Sequence, residues 1–135
     1  FEVGDMRLQC YDIHSTKEQQ YGFTADLPGA VRLVCLGDEP FNAANASYAE
    51  GADWLMSEAF CLYADRERYK PYEKHHSTAL DAARDAANLH VRNLILYHTE
   101  DDHLAQRKAL YTAEAATAFC GSIRVPDDLE VIELD

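Results

Sequence analysis

The stretch HHSTALDAARDAANLHVRNLILYH, residues 75–98, contains a helix signal followed directly by a strand signal. Ser77 or Thr78 can cap a helix over residues 79–89, because a hydroxyl oxygen accepts a hydrogen bond from the first turn. The residues predicted for the inner face of this helix are Leu80, Ala83 and Ala87. Residues 91–97 then form an apolar run typical of a buried strand. A helix that leads into such a strand indicates a unit with parallel strands.

Four segments upstream have the apolar patterns of strands. They are residues 6–13, 21–25, 31–36 and 53–59. Leu27, Pro28 and Gly29 form a turn signal between the second and the third of these segments. Alternating strands and turns before a helix predict that strands dominate the first half of the chain.

The C-terminal part of the chain combines helical and extended patterns. Asp102 can cap a helical stretch, and Thr112 can cap a second helix over residues 113–119, which ends before a glycine. Short strands are predicted at residues 122–125 and 130–134. The predicted class is therefore mixed α/β (α+β).

Size and charge restrict the classes of function. The chain has 135 residues, 47% of them hydrophobic and 27% charged, which is typical of one globular domain, and we predict a single unit over residues 1–135. Its 24 acidic and 12 basic side chains give a formal charge of -12, which disfavours non-specific binding to nucleic acids or anionic membranes. No apolar run approaches the about 20 residues that cross a bilayer, and no signal peptide is visible.

The cysteines predict a reducing environment. Cys10, Cys35, Cys61 and Cys120 lie far apart and form no C-x-x-C motif. Three of the four interrupt apolar or aromatic stretches, as buried free thiols do. We therefore expect reduced core cysteines and a cytoplasmic protein.

Three predicted strands end in side chains that can bind metal ions. His14, Asp38 and His98 each follow an apolar segment, Asp38 after Gly37. Side chains at the ends of buried strands are held rigidly at a cleft, and imidazole and carboxylate groups suit zinc, manganese or iron. Taken singly, each residue has a simpler explanation, either a hydrogen-bonded surface histidine or a turn aspartate.

Longer strings of residues carry more information. They are VCLGD at 34–38, ADWLMSEA at 52–59, HHSTA at 75–79 and LILYH at 94–98, and their order resembles the C-terminal half of a metallo-β-lactamase-fold hydrolase, closest to the ribonuclease Z-like branch. Residues 13–15 and 21–23 are similar to the family's earlier metal-histidine strand and its following strand. The resemblance implies half of an αββα sandwich, a mixed sheet with flanking helices.

The resemblance also implies roles for individual residues. His14 would bind one metal ion, Asp38 would bridge two, and His98 would bind the second. His76 would donate a proton to the leaving group, and Glu58 would hold its tautomer.

The implied reaction is the hydrolysis of a phosphodiester or related ester by a hydroxide that two divalent ions activate, zinc ahead of manganese or iron. The family's His-x-His-x-Asp-His motif supplies further ligands and is absent from this sequence. A missing N-terminal half or a partner chain would therefore have to provide them, and we expect the chain alone to be inactive. Ser57 stands where the family's box has a histidine.

Two features leave alternatives open. His75 adjoins His76, and only one of them can face a site; we select His76 because it directly precedes Ser77 and Thr78. A basic and aromatic cluster could meet an anionic substrate or form a solvated loop. This cluster comprises Tyr63, Arg66, Arg68, Tyr69, Lys70, Tyr72 and Lys74.

The competing hypothesis is a non-catalytic, acidic α/β interaction module. Half of a sandwich leaves an apolar sheet face uncovered, so both hypotheses predict a partner, either a second copy in a homo-oligomer or another chain. If the protein is an enzyme, its acidic charge fits a small-molecule or nucleotide-type substrate, whereas RNA as the substrate is not supported by this charge.

Overall fold

A computed structural model describes residues 1–135, and a seven-stranded sheet forms its centre. The strands are β1 (Glu2–Val3), β2 (Met6–Asp12), β3 (Tyr21–Leu27), β4 (Val31–Cys35), β5 (Trp54–Glu58), β6 (Asn93–Tyr97) and β7 (Ser122–Arg124). They lie in sequence order, antiparallel from β1 to β4 and parallel from β4 to β7. The predicted mixed class and mixed sheet are confirmed.

Helical segments connect the parallel strands, as parallel pairing requires. The α-helices are α1 (Ala46–Ala49), α2 (Arg66–Tyr69), α3 (Ala79–Asn88) and α4 (Arg107–Ala115). Short 3₁₀ turns cover Ala43–Asn45, Tyr63–Asp65 and Tyr72–Lys74. The predicted unit of a helix between parallel strands is confirmed, because α3 leads from β5 to β6 and α4 leads from β6 to β7.

The start of α3 follows the prediction, and its buried face follows it in part, since Ala83 is fully buried. Thr78 accepts the N–H of Asp81 at 3.2 Å, and the Asp81 carboxylate accepts the N–H of Thr78 at 3.1 Å, which completes a capping box. Leu80 and Ala87, predicted for the inner face, are only half-buried. The fully buried residues are Ala79, Ala82, Ala83 and Ala86. Alanines stand on several sides of this helix, so periodicity alone cannot select the face that packs.

Two predictions for the C-terminal part are wrong. Thr112 does not start a new helix but lies inside α4, and its carbonyl accepts the N–H of Ala116 at 2.9 Å. Residues 130–134 form no strand and pair with none of the seven strands of the sheet. The chain end instead reaches β5, where the indole Nε1–H of Trp54 donates to the carbonyl of Asp135 at 3.3 Å.

The two faces of the sheet differ in how well they are covered. On one face, Leu55 and Leu94 pack with the alanines of α3 and with Tyr111 of α4 in one core cluster. The pairing register places a second row on the opposite face: Cys10, Phe23, Cys35, Met56 and Ile95. Of this row only Ile95 is buried. An apolar sheet face left half-exposed is typical of a surface that packs against another layer.

All four cysteines are free thiols, but they do not all lie in the core. Cys61 is buried and Cys35 is half-buried, whereas Cys10 and Cys120 are exposed. The expectation of core cysteines is wrong for the last two, because Cys10 lies on the uncovered face and Cys120 follows the end of α4. None of the helices has the length and apolar character that crossing a membrane would need.

One carboxylate of α4 joins three segments of the helical layer. Glu114 Oε1 accepts the backbone N–H of Tyr63 at 2.7 Å and of Leu80 at 3.1 Å, and Oε2 lies 3.4 Å from the N–H of Ala64. These donors belong to the start of a 3₁₀ turn and to the first turn of α3, which have no intrahelical acceptors. Glu114 therefore fixes α4 against the segments that carry the basic and aromatic cluster.

We predict that Glu114→Gln lowers the free energy of unfolding by about 1–3 kcal/mol, because the amide can accept at only one of its two polar atoms. Urea denaturation followed by circular dichroism measures this change. Glu50→Gln is the matched control, since Glu50 is exposed and its side chain has no hydrogen bond, and its effect should stay within about 0.5 kcal/mol. Equal losses in the two variants would contradict the assignment.

Candidate functional site

The candidate site lies at the carboxyl ends of β4, β5 and β6. Asp38 follows β4, Glu58 is the last residue of β5, and His98 directly follows β6. Parallel pairing of Glu58 with Tyr97 aligns the ends of two of these strands. The backbone turns sharply after β4 and β6, with positive φ angles of 88° at Gly37 and 55° at His98.

Three side chains at this edge can bind one metal ion. The ligand atoms of Asp38, His76 and His98 all lie within 4.8 Å of one another, and His98 Nδ1 is 2.6 Å from Asp38 Oδ1. Ligands at about 2.0–2.2 Å from zinc lie within roughly 4.4 Å of one another, so small side-chain movements suffice. One carboxylate and two imidazoles fit a divalent ion of the zinc, manganese or iron type. The chain holds no second group of this kind.

Glu58 is fully buried, and its carboxylate is held by two adjacent residues. Its Oε1 accepts the backbone N–H of Ser77 at 2.6 Å and the Ser77 hydroxyl at 3.1 Å. Its Oε2 lies 2.9 Å from His76 Nδ1 and 3.8 Å from His98 Nδ1. A buried carboxylate needs such donors, and here they fix the imidazole of His76 in one orientation.

Burial shifts the protonation of this pair. It raises the pKa of Glu58 to about 7, an effect that the Asp38 charge increases and the Ser77 hydrogen bonds reduce. Burial lowers the pKa of His76, and the charges of Lys17 and His98 act in the same direction. Burial therefore favours the neutral forms of both groups. With Glu58 ionised, His76 Nδ1–H donates to it, and Nε2 is the free ring nitrogen.

Phe60 completes the support of His76. Its ring stacks on the imidazole with centroids 5.0 Å apart and planes 24° apart, and His76 in turn meets His98 edge-on at 5.0 Å. The Phe60 N–H donates to the Ser77 carbonyl at 2.9 Å, which ties the end of β5 to the start of α3. The imidazole is thus fixed by a hydrogen bond at its edge and by a ring against its face.

The structure brings together four of the five residues predicted for the site. Asp38 and His98 form one pair, and Glu58 and His76 form the other. It does not bring His14 to them, and metal binding by His14 stays a prediction. His76 has a side chain that is 12% exposed and faces the site, while His75 is exposed, in accordance with the selection of His76.

His14 lies at the edge of a neighbouring groove. It follows β2 with a φ of 59°, and its N–H donates to the Asp12 carboxylate at 2.7 Å. The groove has a volume of about 340 Å³, and its lining also includes Glu39, Phe41 and His75. His14 is thus near the candidate site without contributing to its cluster of ligand atoms.

Sequence reasoning missed two contributors. It gave Ser77 only a capping role, whereas Ser77 donates both its N–H and its hydroxyl to Glu58. It gave no role to Phe60, which packs on His76. The only sequence signal for each is its position: Ser77 directly follows His76, and Phe60 lies two residues after Glu58.

Sequence comparisons find relatives of this chain among known proteins. No family model matches the chain. The ribonuclease Z of Myxococcus xanthus is 34% identical over 110 residues, which cover 82% of this chain and 34% of the relative. The ribonuclease Z of Nocardia farcinica is 40% identical over 95 residues, which cover 66% of this chain and 28% of the relative. The predicted resemblance to the ribonuclease Z-like branch is confirmed.

Solved structures identify the fold. The metallo-β-lactamase fold protein YhfI from Bacillus subtilis superposes with a TM-score of 0.76 at 21% identity, over 98% of this chain and 52% of that protein. The short form of human tRNase Z superposes with a TM-score of 0.73 at 19% identity, over 100% of this chain and 46% of that protein. The chain spans about a third of the length of the curated relatives it matches.

We predict that Glu58→Gln reverses the tautomer of His76. Ser77 supplies two donors, so the amide oxygen of the variant faces Ser77 and its NH₂ group faces His76 Nδ1, which must then accept. The proton moves to Nε2. Imidazole ¹⁵N shifts of the metal-free chain, measured about one pH unit above the Glu58 pKa, report this change directly.

Glu39→Gln provides the control for this experiment. Glu39 is another buried carboxylate near the site, and it accepts a hydrogen bond from Ser15 rather than from His76. Its variant should keep the proton on His76 Nδ1. A proton that stays on Nδ1 in Glu58→Gln would show that Glu58 does not set the tautomer.

Proposed function

We propose that this chain, which has the metallo-β-lactamase fold and is ribonuclease Z-like in sequence, carries one side of the metal site and the proton donor of a metal-dependent hydrolase. The reaction is the hydrolysis of a phosphodiester or a related ester. The observation that carries the proposal is the 2.9 Å contact between Glu58 and His76 beside the paired Asp38 and His98. Such hydrolysis needs an activated nucleophile and an acid for the leaving oxygen, and this edge of the sheet offers groups for both.

Asp38 and His98 are the residues that would hold a divalent ion. Bound divalent ions supply Lewis-acid activation of water and of the phosphoryl oxygens. Zinc suits the donor set, and manganese or iron are alternatives. We propose two ions, with Asp38 as the bridging ligand. This chain has only one such cluster of three residues, so further ligands would come from another part of the polypeptide or from a partner chain. His14 is the other candidate ligand in this chain.

His76 is the proposed acid. Its Nδ1–H donates to Glu58, so Nε2 is the nitrogen that carries the acid proton when the imidazole is doubly protonated, and from there the proton passes to the leaving oxygen. The Glu58 carboxylate stabilises this protonated imidazole and keeps the ring in the orientation that leaves Nε2 free. Phe60 holds the ring plane, which reduces the rotation that would misalign the proton.

The partner of this chain is proposed to cover the second face of the sheet. Phe23, Leu33 and Met56 are half-buried there, and the ligands Asp38 and His98 remain 58% and 40% exposed in their side chains. A second layer would bury both the apolar face and the open side of the site. A missing N-terminal half or a separate chain that carries the His-x-His-x-Asp-His motif fits this position, and the chain alone is then inactive.

A second candidate function uses the same face differently. The half-exposed row on the uncovered sheet face also fits an acidic, non-catalytic module that dimerises. In that case the strand-end residues are structural and bind no metal. Metal affinity therefore separates the two candidates.

The experiment is a zinc titration of the chain by calorimetry, with a matched pair of variants. Asp38→Asn with His98→Asn removes the proposed ligands, and asparagine tolerates the left-handed backbone at position 98. Asp5→Asn with His90→Asn makes the same changes at exposed positions, His90 also having a positive φ. Zinc affinity should fall at least about ten-fold in the first variant and stay unchanged in the second.

Hydrolysis of bis(p-nitrophenyl) phosphate by the complete polypeptide that carries this chain tests the reaction. Activity should disappear in the variant at Asp38 and His98 and persist in the variant at Asp5 and His90. Equal zinc affinity in the chain and both variants would contradict the metal site and favour the interaction module.

A further inference from the structure

The turn that carries Asp38 contains a glycine with a left-handed backbone. Gly37 has a φ of 88°, and glycine is the residue with the greatest backbone freedom. A Cβ atom at position 37 would lie 3.2 Å from Ile13 Cδ1, so the turn cannot easily take a stiffer residue here. The Asp38 side chain is 58% exposed, so packing restrains it little. Its position 2.6 Å from His98 Nδ1 therefore depends on what holds the turn.

One tyrosine hydroxyl restrains this turn. The phenol of Tyr97, the last residue of β6, donates to the Gly37 carbonyl. No backbone N–H donates to that carbonyl, so Tyr97 is its donor within the chain. A phenol keeps its proton at neutral pH, since its ordinary pKa is about 10. The carbonyl belongs to the peptide unit that links Gly37 to Asp38, and this unit is therefore held from outside the turn.

Tyr97 reaches the turn across β5, which lies between β4 and β6 in the sheet. Neighbouring strands are about 4.7–4.9 Å apart, so β4 and β6 are roughly 10 Å apart. A tyrosine spans such a gap with only two side-chain torsions, which keeps the entropy cost of ordering it low. Cys35 Sγ lies 3.6 Å from the same hydroxyl. Because the phenol proton goes to Gly37, the thiol is the donor in this weaker contact, which helps to orient the hydroxyl.

The backbone of Tyr97 is joined to the other side of the site. It pairs with Glu58 in the parallel sheet, and its carbonyl accepts the N–H of Ala59 at 2.9 Å. The next residue in the chain is His98. Tyr97 thus connects the strand that ends in Glu58, the turn that presents Asp38, and His98 itself. Its two ends are fixed, so its hydroxyl sets the distance between Asp38 and His98.

We propose that Tyr97 is a positioning residue, whose hydroxyl fixes the turn at Gly37 so that Asp38 and His98 are held at the separation that one metal ion needs. This inference rests on the proposed function, in which Asp38 and His98 are ligands. Tyr97 acts only through the turn and needs no contact with the ion or the substrate. Ligands that are ordered before the ion arrives reduce the ordering cost of binding.

The test compares Tyr97→Phe with Tyr11→Phe. Each change removes one hydroxyl, and that of Tyr11 donates to the carbonyl of Cys35 at 2.9 Å, two residues before the turn. In the metal-free chain, the ¹⁵N order parameter of the Asp38 amide should fall from about 0.85 to about 0.6 in Tyr97→Phe. Zinc affinity, measured by calorimetry, should fall about ten-fold in the same variant. Tyr11→Phe should change neither quantity.

Tyr11→Phe shows what a purely structural loss does, because both hydroxyls bind carbonyls of the same segment, and circular dichroism verifies that both variants keep the fold. In a chain that binds zinc, an unchanged order parameter or an unchanged affinity in Tyr97→Phe would overturn the proposal, as would equal changes in the two variants. If the unaltered chain binds no zinc, the proposed function fails, and the order parameter alone still decides whether Tyr97 holds the turn.

Discussion

The buried carboxylate of Glu58 is the constraint on which the site depends. It has no access to solvent, so each of its oxygens must find a donor within the protein. Ser77 and His76 supply these donors, and both directly precede the capped start of α3. Satisfying one carboxylate therefore fixes the entry of the helix and the orientation of the imidazole together. The stability of this corner and its proposed chemistry have the same physical cause.

The topology of the sheet supplies the rest of the site. Parallel pairing from β4 to β6 brings Asp38, Glu58 and His98, which are far apart in the sequence, to one edge. The helices cover one face, while the opposite face keeps a half-exposed apolar row. The same fold thus presents an open site and an uncovered surface, and one additional layer would complete both.

The sequence predicts those features that depend on short-range signals. The apolar runs mark β2 to β6, and Thr78 marks the start of α3, because strand patterns and caps are local. The pairings of Glu58 with His76 and of Asp38 with His98 follow from the family resemblance, not from periodicity. Features set by tertiary packing escape prediction: the face of α3, which alanines leave undefined, and the contact of Phe60 with His76. The conformation of residues 130–134 is also not predicted, because it depends on contacts with residues that are distant in the sequence.

The most direct test of the account is an anomalous-scattering map, recorded at the zinc edge, from crystals of the chain soaked in zinc. The account predicts a peak at about 2.0–2.2 Å from a carboxylate oxygen of Asp38 and a ring nitrogen of His98. Glu58 should retain its contact with His76 in the same crystal. A peak confined to the groove of His14 and His75, or no peak at the ends of β4 and β6, would contradict the claim that these strand ends form a metal site.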